Sequence, residues 1–213
     1  MAKPIQGQPG SSGHIHISLC DINNGRNLFA KEESNTQTGK STPSDTAGLT
    51  DLGRHFLAGL LDALPDIMPL LAPTINSYKR LVESFWAPVH LSWGLEDRMA
   101  SLRLITPPVC VPQATRIEVR IPGADLHPHY ALSALLAAGW RGVQKKLEIT
   151  IPPLSSGHPE GCRLLPSTLE EALQRFAADG SRAREIFDGE FVDFFTATRE
   201  HELGLWREAV TDW

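Results

Sequence analysis

Two short segments far apart in the chain alternate strictly between apolar and polar residues. In 13–19, Ile15, Ile17 and Leu19 fall on one side of a strand and His14, His16 and Ser18 on the other. In 116–121, Ile117, Val119 and Ile121 oppose Arg116, Glu118 and Arg120. Side chains two apart on a strand sit about 6–7 Å from each other, so a sheet holding both segments presents a row of His, Ser, Glu and Arg. Residues 87–105 read as two further strands, the first with Val89, Leu91 and Trp93 opposed to His90 and Ser92.

Elsewhere the period becomes helical. Residues 50–64 place Leu52, Phe56, Leu57, Leu60, Leu61 and Leu64 on one side, with Pro65 as the stop, and a short second helix ends before Pro73. Residues 130–147 predict a close-packing helix on the back of the sheet, with Leu132, Leu135, Leu136, Gly139 and Val143 on its buried face. Ser167 with Glu170 reads as a capping box opening a helix that carries Leu169, Leu173 and Phe176. Asp188 opens the last helix, with Phe191, Phe194, Phe195, Leu205 and Trp206 as its buried stripe, still helical where the chain stops at Trp213. Residues 21–45, anchored at Leu28-Phe29, and 151–166 read as loops. The organisation is α+β, without internal repeats.

Composition narrows the class. The 213 residues, 41% hydrophobic and 21% charged, suit a soluble chain of one domain or one and a half. A net charge of -5 gives no support to nucleic acid as a partner. No apolar run approaches a membrane span, and the start, Met1-Ala2-Lys3-Pro4, lacks a signal core. Cys20, Cys110 and Cys162 match neither a zinc spacing nor a disulfide framework, so the expected location is cytoplasmic.

For either strand alone, a solvated outer face accounts for the polar row as well as a binding site does. Two features favour a site. The run Gly7, Gly10, Ser11, Ser12, Gly13 lets backbone approach a ligand ahead of His14. A carboxylate flanked by two guanidinium groups suits a metal-bound anion.

The blocks Asn76-Ser77-Tyr78-Lys79-Arg80, Ala87-Pro88-Val89, Arg98-Met99-Ala100-Ser101-Leu102-Arg103 and Arg116-Ile117-Glu118-Val119-Arg120, with the Gly-Ser run into His14-Ile15-His16 and Phe29, resemble the catalytic part of glutamine synthetases. The type I-like branch with its γ-glutamyl-amide synthetases looks nearest, over residues 1–147. The resemblance implies a curved, mainly antiparallel sheet with helices on its outer face. It implies His14 and Glu118 as ligands of a divalent ion, Mg2+ or Mn2+. It further implies His16, Ser18 and Arg116 beside ATP, with Arg98 and Arg103 as catalytic cations on the phosphates. Arg80, Arg120 and the Gly10 backbone are implied to hold glutamate. All five arginines are expected around His14 and Glu118 on one concave surface. Independently, phosphoryl transfer to a carboxylate needs metal ions and fixed cations on the developing charge, and arginine's planar fork suits that task.

Three departures from the family pattern stand out. The acidic residue that precedes Ala-Pro on the family's ammonium-enclosing flap is Trp86 here, which cannot accept a proton but can stack on a larger amine. The family's Asn-Gly-Ser-Gly-Met run is Pro9-Gly10-Ser11-Ser12-Gly13. Nothing matches the N-terminal β-grasp domain or the glutamate-bearing strands that precede the His block, so residues 1–213 read as the C-terminal part of a catalytic domain, inactive by itself. The implied activity is an ATP-dependent ligase joining glutamate to ammonia, oligomeric when complete. The alternatives are a γ-glutamyl-amide synthetase, favoured by Trp86, and a pseudo-enzyme that keeps the fold for interaction.

Overall fold

Among the described residues, four strands pair in the order β1-β4-β3-β2: β1 (Ile15–Ile17), β2 (Trp93–Leu95), β3 (Leu102–Ile105) and β4 (Arg116–Val119). The computed structural model describes residues 1–31, 46–83, 85–154 and 161–210; parts of both expected loops, Ser84 on the flap and Trp213 lie outside them. β4 is antiparallel to both its neighbours, whereas β2 and β3 run parallel, which makes the sheet mixed. The alternation in sequence works as expected on the apolar side. Ile17, Leu102, Leu104, Ile117, Val119 and Ile121 all enter one core shared with the helices.

Residues 87–92 do not extend β2. They lie against 163–165 instead, where the Leu91 N–H donates to the Arg163 carbonyl at 2.7 Å and the Leu165 N–H to that of Val89 at 2.9 Å. Ser92, expected on the polar side, is buried, and its N–H donates to Ser101 Oγ at 2.9 Å. The expected loop at 151–166 therefore supplies a backbone partner.

Helix α1 (Asp51–Leu71) starts at Thr50, whose hydroxyl accepts the Gly53 N–H, and it runs on through Pro65 and Pro69. Proline removes one helix hydrogen bond and costs about 3 kcal/mol. Phe56 to Leu71 are nonetheless almost all buried, and at about 1.5–3 kcal/mol per large apolar side chain that burial outweighs both prolines. A one-turn helix, α2 (Ile75–Tyr78), follows.

Helix α3 (Pro128–Lys145) packs on α1. Of its expected face, Leu135 and Gly139 are buried and Val143 is half-buried, whereas Leu132 and Leu136 are exposed; Ala131, Ala134, Ala138 and Gly142 complete the buried side. Close approach explains why small residues stand there. A Cβ at Gly142 would stand 2.2 Å from the His55 carbonyl oxygen and 2.6 Å from Gly59 Cα. Helices α4 (Leu169–Ala177), α5 (Arg182–Ile186) and α6 (Gly189–Glu208) complete the core. The α4 cap is Thr168 rather than Ser167: its side chain accepts the Glu171 N–H, and the Glu171 carboxylate accepts from the Ser167 N–H at 2.8 Å, so the expected Ser167–Glu170 capping box does not form. Asp188 caps α6 as expected. The helix ends at Glu208 rather than running on to Trp213, and it buries Val192, Phe195, Thr196 and Leu203 while Phe194, Leu205 and Trp206 stay exposed. No helix among the described residues is long and apolar enough to cross a membrane.

Candidate active site

Strand register brings the polar residues together. His16 and Arg103 are the direct cross-strand partners of Glu118, and Gly94 is the partner of Arg103, so these four share the face opposite the core. His14 and Arg120 lie just beyond the β1 and β4 ladders on the same face.

Glu118 is the hub. His14 Nδ1 lies 3.0 Å from its Oε1, Arg103 Nη1 3.0 Å from its Oε2 and Arg120 Nε 3.5 Å from its Oε1, and the glutamate is 5% exposed. Burial alone would raise the Glu118 carboxyl; the Arg103 hydrogen bond and the charges of Arg120, His14 and Arg103 outweigh it and hold the group below its ordinary value. Burial and the Arg120 charge push the His14 imidazole down, against the pull of Glu118. The direction of that shift favours the neutral imidazole, the form that ligates metal.

The remaining arginines divide. Arg116 donates from Nε to His16 Nδ1 at 3.1 Å, away from Glu118. Arg98 is exposed in the turn between β2 and β3, where its charge still acts on Arg120. Arg80 is buried and gives its guanidinium to backbone, Nη1 to the Ile121 carbonyl at 2.7 Å and Nη2 to that of Arg120 at 3.2 Å. Burial, then the Arg120 charge, brings its pKa down to about 10, with Asp125 resisting. Of the five arginines expected around His14 and Glu118, Arg103 and Arg120 reach Glu118 directly. Arg80 instead fixes the end of β4 from which Arg120 projects.

Gly10 explains its own identity. A Cβ there would meet the Ala2 carbonyl oxygen at 2.4 Å and Arg80 Cγ at 2.7 Å, so the Gly-Ser run passes directly over the Arg80 stem. Ser18 is exposed just past β1. Trp86 sits in a turn at φ 56, 67% exposed.

Matching the sequence to known families decides what this arrangement is. The model of the glutamine synthetase catalytic domain matches residues 1–213. The chain belongs to the glutamine synthetase family. It is 37% identical to a type-1 glutamine synthetase of Dictyostelium discoideum, covering 100% of this chain and 39% of that protein. It is 36% identical to a glutamate–isopropylamine ligase of a Pseudomonas species, covering 100% and 44%. A γ-glutamylethanolamide synthetase of Streptomyces coelicolor is 35% identical over 96% and 40%. The chain thus spans about two-fifths of the length of the curated relatives it matches.

For a glutamine synthetase chain the implied metal can be tested on the donors present. Cis ligands of an octahedral ion at about 2.1 Å stand about 3 Å apart, and His14 Nδ1 and Glu118 Oε1 are 3.0 Å apart. A neutral imidazole and a carboxylate are also the right donor types. No group of three metal-holding side chains occurs among the described residues, so the pair fits as part of a coordination shell.

Two residues that carry this geometry were missed in the sequence. Glu96 contacts Arg103 at 2.5 Å. Asp125 Oδ2 accepts from Thr74 Oγ1 at 2.9 Å and Ser77 Oγ at 2.8 Å, tying the α2 end that leads to Arg80. Neither follows a periodic pattern.

Proposed function

We propose that the complete protein is an ATP-dependent ligase that joins the γ-carboxylate of glutamate to an amine. The observation that carries the reading is the grip of His14, Arg103 and Arg120 on one buried carboxylate, with further arginines nearby. Cations outnumber acids there, which suits a site built for phosphate and carboxylate. In the first step a γ-carboxylate oxygen of glutamate attacks the γ-phosphorus of ATP and ADP leaves. In the second the amine nitrogen attacks the acyl carbon, phosphate leaves and the nitrogen loses a proton. Arg103 and Arg98 stabilise the transferring phosphoryl group; His16, Ser18 and Arg116 line the nucleotide. Arg120, with Arg80 and the Gly10 backbone behind it, receives the glutamate. His14 and Glu118 would hold part of the shell of a divalent ion, which would supply charge neutralisation at the phosphates. A cytoplasmic homo-oligomer is the setting this reading expects.

Ammonia is the first reading for the amine. The second, an alkylamine or amino alcohol, is favoured by Trp86, whose indole stands where an acid is expected and is open to solvent. The two relatives named for isopropylamine and ethanolamide support it further. The test compares phosphate release by the full-length protein with ATP, Mg2+ and glutamate plus ammonium, isopropylamine, ethanolamine or putrescine, before and after Trp86→Glu. A preference for the larger amines that shifts toward ammonium in the variant supports the amide-synthetase reading. Ammonium as the best acceptor, with an order unchanged by Trp86→Glu, leaves plain glutamine synthesis. No turnover with any amine makes the chain a pseudo-enzyme.

A further inference from the structure

Glu96 belongs to none of the motifs above, yet the chain is bent to deliver it. It directly follows β2 at φ 54, a left-handed conformation that a long side chain adopts only when its surroundings impose it. Its N–H donates to the Leu104 carbonyl at 2.9 Å, which continues the parallel β2–β3 pairing by one bond before the chain turns off toward the start of β3. That turn brings the carboxylate to the residue β3 contributes to the site. Glu96 Oε2 lies 2.5 Å from Arg103 Nη2 while Nη1 of the same guanidinium lies 3.0 Å from Glu118 Oε2. A guanidinium held through one nitrogen can still swivel; held through both terminal nitrogens by two separate carboxylates, its plane is fixed.

The tether also divides labour between the two acids. With Glu96 gone, Arg103 Nη2 gains most by swinging to make a second, side-on bond to Glu118. The oxygen it would take is Oε1, which now faces His14 at 3.0 Å and Arg120 at 3.5 Å. We propose that Glu96 is a positioning residue: it pulls Arg103 to the β2 edge, so that Arg103 is presented to the phosphates and Glu118 Oε1 is left to the His14 side. The proposal rests on the ligase reading of this site.

The test is a double-mutant cycle in the full-length protein, with Glu96→Ala, Glu96→Gln, Arg103→Ala and the double Glu96→Ala/Arg103→Ala. Glu96→Ala is expected to lower kcat/KM for MgATP on the order of tenfold to a hundredfold, the range lost with one charge-assisted hydrogen bond. Glu96→Gln, whose amide oxygen still accepts from Nη2, should recover most of that loss. In the Arg103→Ala background, Glu96→Ala should cost almost nothing more. Additive losses, or wild-type kcat/KM in Glu96→Ala, would overturn the proposal. A crystal structure of full-length Glu96→Ala reads the same claim without catalysis. Arg103 turned side-on to Glu118 upholds it, and an unmoved guanidinium overturns it. A wild-type protein inert with every amine would sink the ligase reading, and the crystal structure would still decide whether Glu96 positions Arg103.

Discussion

Replacing Glu118 with glutamine should destabilise the protein, although functional residues often relax a fold when removed. At 3.0 and 3.5 Å, the contacts to Arg103 and Arg120 are each worth roughly 5 kcal/mol at an effective dielectric of about 20. Burying the carboxylate and Arg120 cancels most of that sum, and breaking such a pair leaves a net cost of about 3–5 kcal/mol. Two features reduce it here. The amide keeps an acceptor for Arg103, and Arg103 keeps Glu96, so about 2–3 kcal/mol is the figure to expect for Glu118→Gln. The sign follows from local charge. Arg80 is already held down to about 10 by burial and by Arg120, and losing a neighbouring acid adds to repulsion that is present before the change. Urea unfolding at pH 7 measures it: with a slope of about 1–3 kcal/mol per molar, the midpoint should fall by about 1 M or more at unchanged slope. Arg120→Gln, which leaves Glu118 with His14 and Arg103, should cost less. A Glu118→Gln protein as stable as the wild type would refute the reasoning, because the carboxylate would then contribute no net attraction to the arginines around it.

Packing and charge elsewhere in the molecule lead to further expected outcomes. Gly59→Ala should cost about 1–3 kcal/mol in an unfolding titration, since its Cβ would stand 2.4 Å from the Ala138 carbonyl oxygen and 2.7 Å from Gly142 Cα and force α1 and α3 apart. Gly204→Ala in α6, with nothing within 4 Å, should instead gain up to about 1 kcal/mol from helix propensity. Burial, with Glu171 and Asp125 nearby, holds the Tyr78 phenol well above its ordinary value. Its raised folded pKa means that stability is full below an unfolded value of about 10 and is lost as pH rises past it; Tyr78→Phe should flatten that alkaline loss, and a wild-type-like alkaline slope in the variant would contradict the assignment. Residues 1–213 alone, in which His14 and Glu118 are the candidate metal pair among the described residues, should release no phosphate from ATP with glutamate and ammonium, and Mg2+-dependent turnover would count against the ligand assignment.

The half-buried strands were legible because a period of two has one physical cause, a pleat with a dry side, and Ile17, Ile117 and Val119 obey it. The helix faces were less so. Reading α3 by its leucines is half right: Leu135 is buried but Leu132 and Leu136 are exposed, because α1 and α3 meet through alanine and glycine, where backbone proximity replaces side-chain bulk. The signal was present in Ala131, Ala134, Ala138 and Gly142, which recur at helical spacing. Pro65 misled for a related reason: the proline rule compares one lost hydrogen bond with an isolated helix, while α1 is immersed in apolar contacts on nearly every side.

The site divides along the same line. Residues inside alternating segments could be assigned a face from sequence, since register only had to align Glu118 with His16 and Arg103. What sequence could not give is which arginine spends its charge on what. Arg80 and Arg103 look equivalent in their motifs, yet one is tied to the carbonyls of Arg120 and Ile121 and the other hangs between two carboxylates. That difference comes from the left-handed turn at Glu96 and the Gly10 crossing over Arg80, both conformational and neither periodic. An anion entering such a site meets one guanidinium anchored to backbone and another whose plane is held by two carboxylates. The tethers on Arg103, more than the number of arginines, therefore set where a transferring phosphoryl group would find a cation already in place.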